Sequence, residues 1–83
     1  MTDSPLDFPC DYPIKIMGFA EPGYQQWSEE FVAQYANVIS SQSKLSKKGK
    51  YISVTVHITA TSMTQLDEIY QALQNHSKVK STL

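Results

Sequence analysis

Few residues in this chain could do chemistry, and their spacing limits each. Cys10 is the only thiol. A thiolate nucleophile needs an imidazole or a cation beside it, whereas the sequence neighbours here, Phe8 and Pro9, make Cys10 a small apolar residue. His57 falls within an alternating run and His76 at the end of a helical pattern. Neither belongs to a His-x-x-x-His or Cys-x-x-Cys pattern, so no metal ion or cofactor is expected. Asp67 and Glu68 are adjacent; on a helix their side chains diverge by about 100° and cannot share a proton as an acid/base pair. Gly18, Gly23 and Gly49 are too scattered for a phosphate-binding loop. The chain reads as a non-enzyme.

The elements that would position these residues are legible from periodicity. Residues 1–11, with Pro5 and Pro9, show none and read as a partly ordered arm whose end is tacked down by Phe8, Pro9 and Cys10. Residues 12–83 form one small domain. Tyr12 to Phe19 is a first strand, with Tyr12, Ile14 and Ile16 on one side and Pro13, Lys15, Met17 and Phe19 on the other. Pro13 suits the start of a strand. The spacing of Trp27, Phe31, Tyr35 and Val38, widened by Val32 and Ile39, predicts a helix that starts between Pro22 and Ser28 and ends by Ser40–Ser43.

A short weak strand follows at Lys44–Ser46, then a tight turn over Lys47–Lys50 in which Gly49 takes a positive φ. Tyr51 to Ser62 alternates strictly, with Ile52, Val54, Val56, Ile58 and Ala60 on one face, as a half-buried strand does. Ser62 and Gln65 have capping-box spacing. The helix behind them carries Leu66, Ile69, Tyr70 and Leu73 and closes at Asn75 in the left-handed conformation. Ser77–Leu83 is a last short strand. The order β-α-β-β-α-β predicts an α+β, ferredoxin-like two-layer sandwich. Its four-stranded antiparallel sheet has the two apolar strands at its centre and the lysine-bearing strands at its edges.

Composition narrows the function classes. Seven lysines stand against eight acids, with no arginine; a nucleic-acid partner would call for a cationic surplus and Arg forks. Lys48-Gly49-Lys50-Tyr51-Ile52 matches only the opening pair of the RNA-recognition signature, and Ile52 points into the core. No run approaches the ~20 apolar residues of a membrane span. The acidic start is no secretion signal, and one free thiol suits a reducing cytoplasm. Residues 1–43 carry a net −5 and residues 44–83 a net +4. The halves therefore attract on folding, or the Lys44–Lys50 patch meets an acidic partner.

Four blocks carry a resemblance: Phe8-Pro9-Cys10-Asp11-Tyr12-Pro13-Ile14-Lys15-Ile16-Met17-Gly18; Gly49-Lys50-Tyr51-Ile52-Ser53-Val54-Thr55-Val56; Ala60-Thr61-Ser62; and Leu66-Asp67-Glu68-Ile69-Tyr70. In this order they resemble the YbeD-like family of small bacterial proteins of unknown function, from Phe8 onward. The resemblance implies a ferredoxin-like fold similar to the ACT domains, which are regulatory amino-acid-binding modules. Members are often encoded beside lipoate-attachment genes, which implies a role linked to lipoate metabolism. No catalytic or binding residues carry over. Glu21-Pro22-Gly23-Tyr24 is similar to the ligand loop after the first ACT strand, with Tyr24 in place of the usual aliphatic residue.

With helices on one sheet face, the other meets water or a partner. Strand parity places Lys15, Met17 and Phe19 there, beside Ser53, Thr55, His57 and Thr59. A centre of Met17 and Phe19 rimmed by Lys15, Thr55, His57 and hydroxyls has the anatomy of a modest protein contact. An imidazole in the rim would make association sensitive to mildly acidic pH. The expected function is a non-catalytic module that binds a protein partner, or itself, through this open face. The alternative is an ACT-like sensor of an amino acid or other small metabolite.

Overall fold

The computed structural model describes residues 7–82. The chain runs β1 (Cys10–Phe19), α1 (Tyr24–Ala33), β2 (Asn37–Leu45), β3 (Tyr51–Ala60), α2 (Met63–Gln74) and β4 (Ser81–Thr82). The strands form one antiparallel sheet in the order β2-β3-β1-β4. This is the expected α+β, ferredoxin-like arrangement, with the most apolar strands in the middle; of the edges, β2 carries Lys44, whereas β4 is only Ser81–Thr82 and the lysines expected in it, Lys78 and Lys80, precede it.

The β1–β3 ladder pairs ten residues of each strand, from Cys10 opposite Ala60 to Phe19 opposite Tyr51. Alternation then does what a period of two requires. Ile14, Ile16, Val54, Val56, Ile58 and Ala60 point to the helices and are fully buried, against Leu66, Ile69 and Leu73 of α2. β1 begins at Cys10, two residues before the expected start, and Pro13 lies inside it. β4 pairs only with Ile16 and Met17. Among the described residues, β1 is therefore an edge at Pro13, where a missing N–H is tolerated. Of the expected arm over residues 1–11, residues 1–6 lie outside the described residues; Phe8 packs on the core.

The first helix departs most from its expected form. It stops at Ala33, and its buried stripe is Tyr24, Ser28 and Val32. Trp27 and Phe31 are only half-buried and Tyr35 is exposed, while Val38 and Ile39 belong to β2. The spacing of 4, 4 and 3 ran across a helix end. Beyond it, eight residues of β2 find hydrogen-bonded partners on β3, with a bulge at Ile39, and this ladder outweighs helical propensity. The helix-facing side of β2 is polar because α1 answers it in kind. Gln25 donates to Ser41 Oγ at 2.8 Å and accepts from Ser43 Oγ at 2.8 Å, and Ser41 donates to Glu29.

Three ends also differ from expectation. Ser62 caps α2 by accepting the Gln65 N–H at 3.0 Å, but the Gln65 amide returns to the Thr61 N–H at 2.8 Å, one residue before the Ser62 N–H that a capping box uses. Asn75 closes the helix in the right-handed conformation (φ −88°) rather than the left-handed one. The last strand is two residues, because Val79 N–H bonds back to His76 carbonyl in a turn; Leu83 lies outside the described residues. Gly49 has φ 71°, as the turn between β2 and β3 demands.

Gly18 is required by a close approach. Tyr24, the first residue of α1, is buried and donates from its hydroxyl to the Lys78 carbonyl at 2.7 Å. A Cβ on Gly18 would fall inside contact distance of both that hydroxyl and that carbonyl. Burial, and then the Glu21 carboxylate, raise the Tyr24 phenol above its ordinary value.

Candidate functional site

Both helices lie on one side of the sheet, so the other side carries the candidate surface. Antiparallel register places Lys15 opposite Thr55, Met17 opposite Ser53, and Phe19 opposite Tyr51. The expected residues thus share one face, on which Met17 and Phe19 are exposed, 39% and 50% respectively. His57 is on the same face but opposite Pro13, two pairs beyond Lys15, and it is tied to Asp11. A carboxylate only accepts, so the Nδ1 that lies 3.2 Å from Asp11 Oδ1 carries the proton. That pair is solvent-facing, with Asp11 64% exposed, and such pairs contribute at most about 1 kcal/mol.

The far end of the face has a feature that strand parity alone did not reveal. The rings of Phe19 and Tyr51 stack at 5.3 Å with an interplanar angle of 22°. Lys80 Nζ lies 4.7 Å from the Phe19 centroid, and Lys50 Nζ lies 5.5 Å from that of Tyr51. Each ring is thus approached by an ammonium group, with cation–π attraction holding both cations on the sheet. Lys50 and Tyr51 are neighbours in the chain, and register joins that pair to Phe19. Their signal in the sequence was a single aromatic on the polar side of each central strand, Phe19 and Tyr51.

Edge strand β2 adds Lys44, opposite Ser53. The basic run is therefore divided: Lys44 and Lys50 border the open face, while Lys47 and Lys48 sit in the turn. Among the described residues the ion pairs are Glu21–Lys78 at 3.0 Å and Asp11–His57, so Lys15, Lys44, Lys50 and Lys80 have no carboxylate within 4 Å.

The remaining chemical residues are built into the scaffold. Cys10 pairs with Ala60 on the helix side and packs on the core, whereas His57 faces the opposite way, so these two cannot form a nucleophile–base pair. His76 completes a triangle of rings with Trp27 (4.8 Å) and Phe31 (5.4 Å), and its Nδ1 accepts the Lys78 N–H at 3.1 Å. Among the described residues no three His, Cys, Asp or Glu side chains are grouped to hold a metal ion, and no helix is long and apolar enough to cross a membrane. In the loop after β1 the Tyr24 N–H is taken by the Glu21 carbonyl at 3.3 Å and the Trp27 N–H by that of Gly23 at 2.8 Å.

Residues 3–83 match the model of a family described as "Protein of unknown function (DUF493)". The chain is 42% identical over 84 residues to the UPF0250 protein NE1487 of Nitrosomonas europaea, covering 98% of this chain and 97% of that relative. It is 40% identical over 86 residues to a UPF0250 protein of Paraburkholderia phytofirmans, covering 100% and 97%. These matches bear out the YbeD-like resemblance. Among solved structures, protein HP0495 from H. pylori superposes with a TM-score of 0.75 at 20% identity, covering 98% of this chain and 88% of that one. The ACT domain from the GTP pyrophosphokinase of Chlorobium tepidum superposes at 0.67 and 16% identity, covering 89% and 97%. At such identities the likeness is one of fold.

Proposed function

From a chain that belongs to the DUF493 family of unknown function, we propose a non-catalytic regulatory module that acts by binding a protein, or a second copy of itself, through the open face of its sheet. The observation that carries this reading is the exposure of Met17 and Phe19, with half-buried Tyr51 stacked on Phe19, beside Lys15 of β1 and Lys44 of β2. An exposed thioether and ring with a polar margin are what the centre and rim of a modest interface require. The ACT-like fold is compatible with regulation but assigns none. The module works in a reducing cytoplasm, where Cys10 stays a free thiol.

A Met17→Lys substitution tests it. Sedimentation velocity for self-association, and affinity capture with wild type and variant side by side, should show binding by wild type that the variant loses at unchanged melting temperature. Equal binding by the two sinks the reading.

One observation favours the second reading, a small-metabolite sensor. A hollow of about 180 Å³ lined by Phe19, Glu21, Tyr24, Ser77 and Lys78 holds the Glu21–Lys78 pair, whose opposite charges match those of a zwitterionic amino acid. A ligand at a hundredfold excess over its dissociation constant stabilises by about 2.7 kcal/mol. A thermal-shift screen of amino acids, lipoate and octanoate therefore decides between the readings and tests the lipoate link that the family resemblance implies. A shift abolished by Glu21→Gln supports the sensor; flat melting curves throughout remove it.

A further inference from the structure

We infer that the lysine-ringed end of the open sheet takes an acidic protein segment in which an apolar side chain neighbours a carboxylate. This rests on the open-face reading above and narrows it to one partner chemistry. Two hollows lie side by side at this end and share Lys44 and Ser53. One, of about 150 Å³, is walled by Met17, Leu45 and Tyr51 and has room for one aliphatic or aromatic side chain. The other, of about 360 Å³, is bordered by Lys15, Gln42 and Thr55. Residues two apart in an extended segment project to the same side. A single segment can therefore seat an apolar side chain in the first hollow and a carboxylate between Lys15 and Lys44 in the second.

Charge complementarity selects this occupant. Lys15, Lys44, Lys50 and Lys80 surround the end, and none has a carboxylate within 4 Å among the described residues. Three acids of the chain are engaged elsewhere: Asp11 with His57, Glu21 with Lys78, and Glu29 with Ser41. Among the described residues the end therefore presents lysines without paired carboxylates, a positive field that draws an anionic partner. A second copy placed face to face would set lysines against lysines. A nucleic acid would need ring faces free for stacking, but Phe19 and Tyr51 stack on each other beneath Lys80 and Lys50.

The test is selection from a random peptide library displayed on phage against the wild-type chain, followed by titration of the best synthetic peptide. Enriched peptides should place Asp or Glu two residues from an apolar residue. Lys15→Glu/Lys44→Glu should weaken the selected peptide by more than about tenfold, and the milder Lys15→Gln/Lys44→Gln should fall between that variant and wild type. Lys47→Glu/Lys48→Glu makes the same change of net charge in the adjacent turn and should cost less than about threefold. If acid-free peptides are enriched and Met17→Lys abolishes their binding, the acidic partner is overturned and the open face survives. If nothing is enriched, or if Met17→Lys and the Lys15/Lys44 variants bind as well as wild type, both fall. An oligouridylate that displaces the selected peptide also overturns the inference, by making the end a nucleic-acid surface.

Discussion

On the helix side of the β1–β3 ladder, Ile14, Ile16, Val54, Val56 and Ile58 are fully buried; one residue along the same strands, Lys15, Met17 and Phe19 face outward. The backbone pairing is common to both sets, so hydrogen bonding does not distinguish them. What differs is the apolar surface removed from water, about 1.5–3 kcal/mol for each fully buried aliphatic side chain. A domain of this size depends on one such face, because its margin of stability is only about 5–15 kcal/mol. Mutations on the two faces should therefore separate folding from binding.

The largest effect belongs to Val56→Asp. It places a carboxylate at a fully buried position on the central strand, and the cost of more than about 4 kcal/mol should leave the chain unfolded by circular dichroism. A cooperative melt in that variant would break the contrast between the faces. Gly18→Ala comes next, at about 1–3 kcal/mol, because the added methyl group meets the Tyr24 hydroxyl and the Lys78 carbonyl. Chemical denaturation measures it, and an unchanged midpoint would mean that this corner yields without cost.

Tyr24→Phe should cost about 1 kcal/mol through the lost hydrogen bond to Lys78. It also has a pH signature. The folded state holds the Tyr24 phenol above its ordinary value, and burial together with the Tyr12 hydroxyl raises Tyr70 in the same direction. A raised folded-state value means that the unfolded chain ionises first. The phenols' contribution is then complete below about pH 10 and is lost as the pH rises through the folded-state values. Tyr24→Phe/Tyr70→Phe should flatten this alkaline decline in melting temperature; an identical decline would assign it to other groups. The smallest effect on stability is that of Met17→Lys, within about 0.5 kcal/mol, as expected at an exposed position. If that variant melts well below wild type, the open face takes part in folding and the division between the faces is less sharp.

Periodicity marked some elements much better than others. The β3 strand could be read outright, since five alternating apolar residues admit one orientation, and the Ser62 cap fixed the start of α2. By contrast, β2 left almost no trace. Ser41 and Ser43 face the helices, where Gln25 and Glu29 of α1 meet them, an arrangement that no hydrophobic period records. The same ambiguity misassigned the helix stripe: Trp27 and Phe31 pack around His76 near the C-terminal end of α2, while Tyr24 and Val32 fill the core.

The sequence by itself determined the order of elements, the two central strands and which residues share the open face, because side-chain alternation is a local consequence of extended backbone. Only the tertiary structure decided the rest. Register set Phe19 against Tyr51 and brought Lys44, Lys50 and Lys80 around them. It also joined His57 to Asp11, 46 residues away, and closed Tyr24 over Gly18. Such pairings depend on which strands become neighbours and how far each slides. That choice is fixed by burying one whole face at once, not by any short stretch of chain.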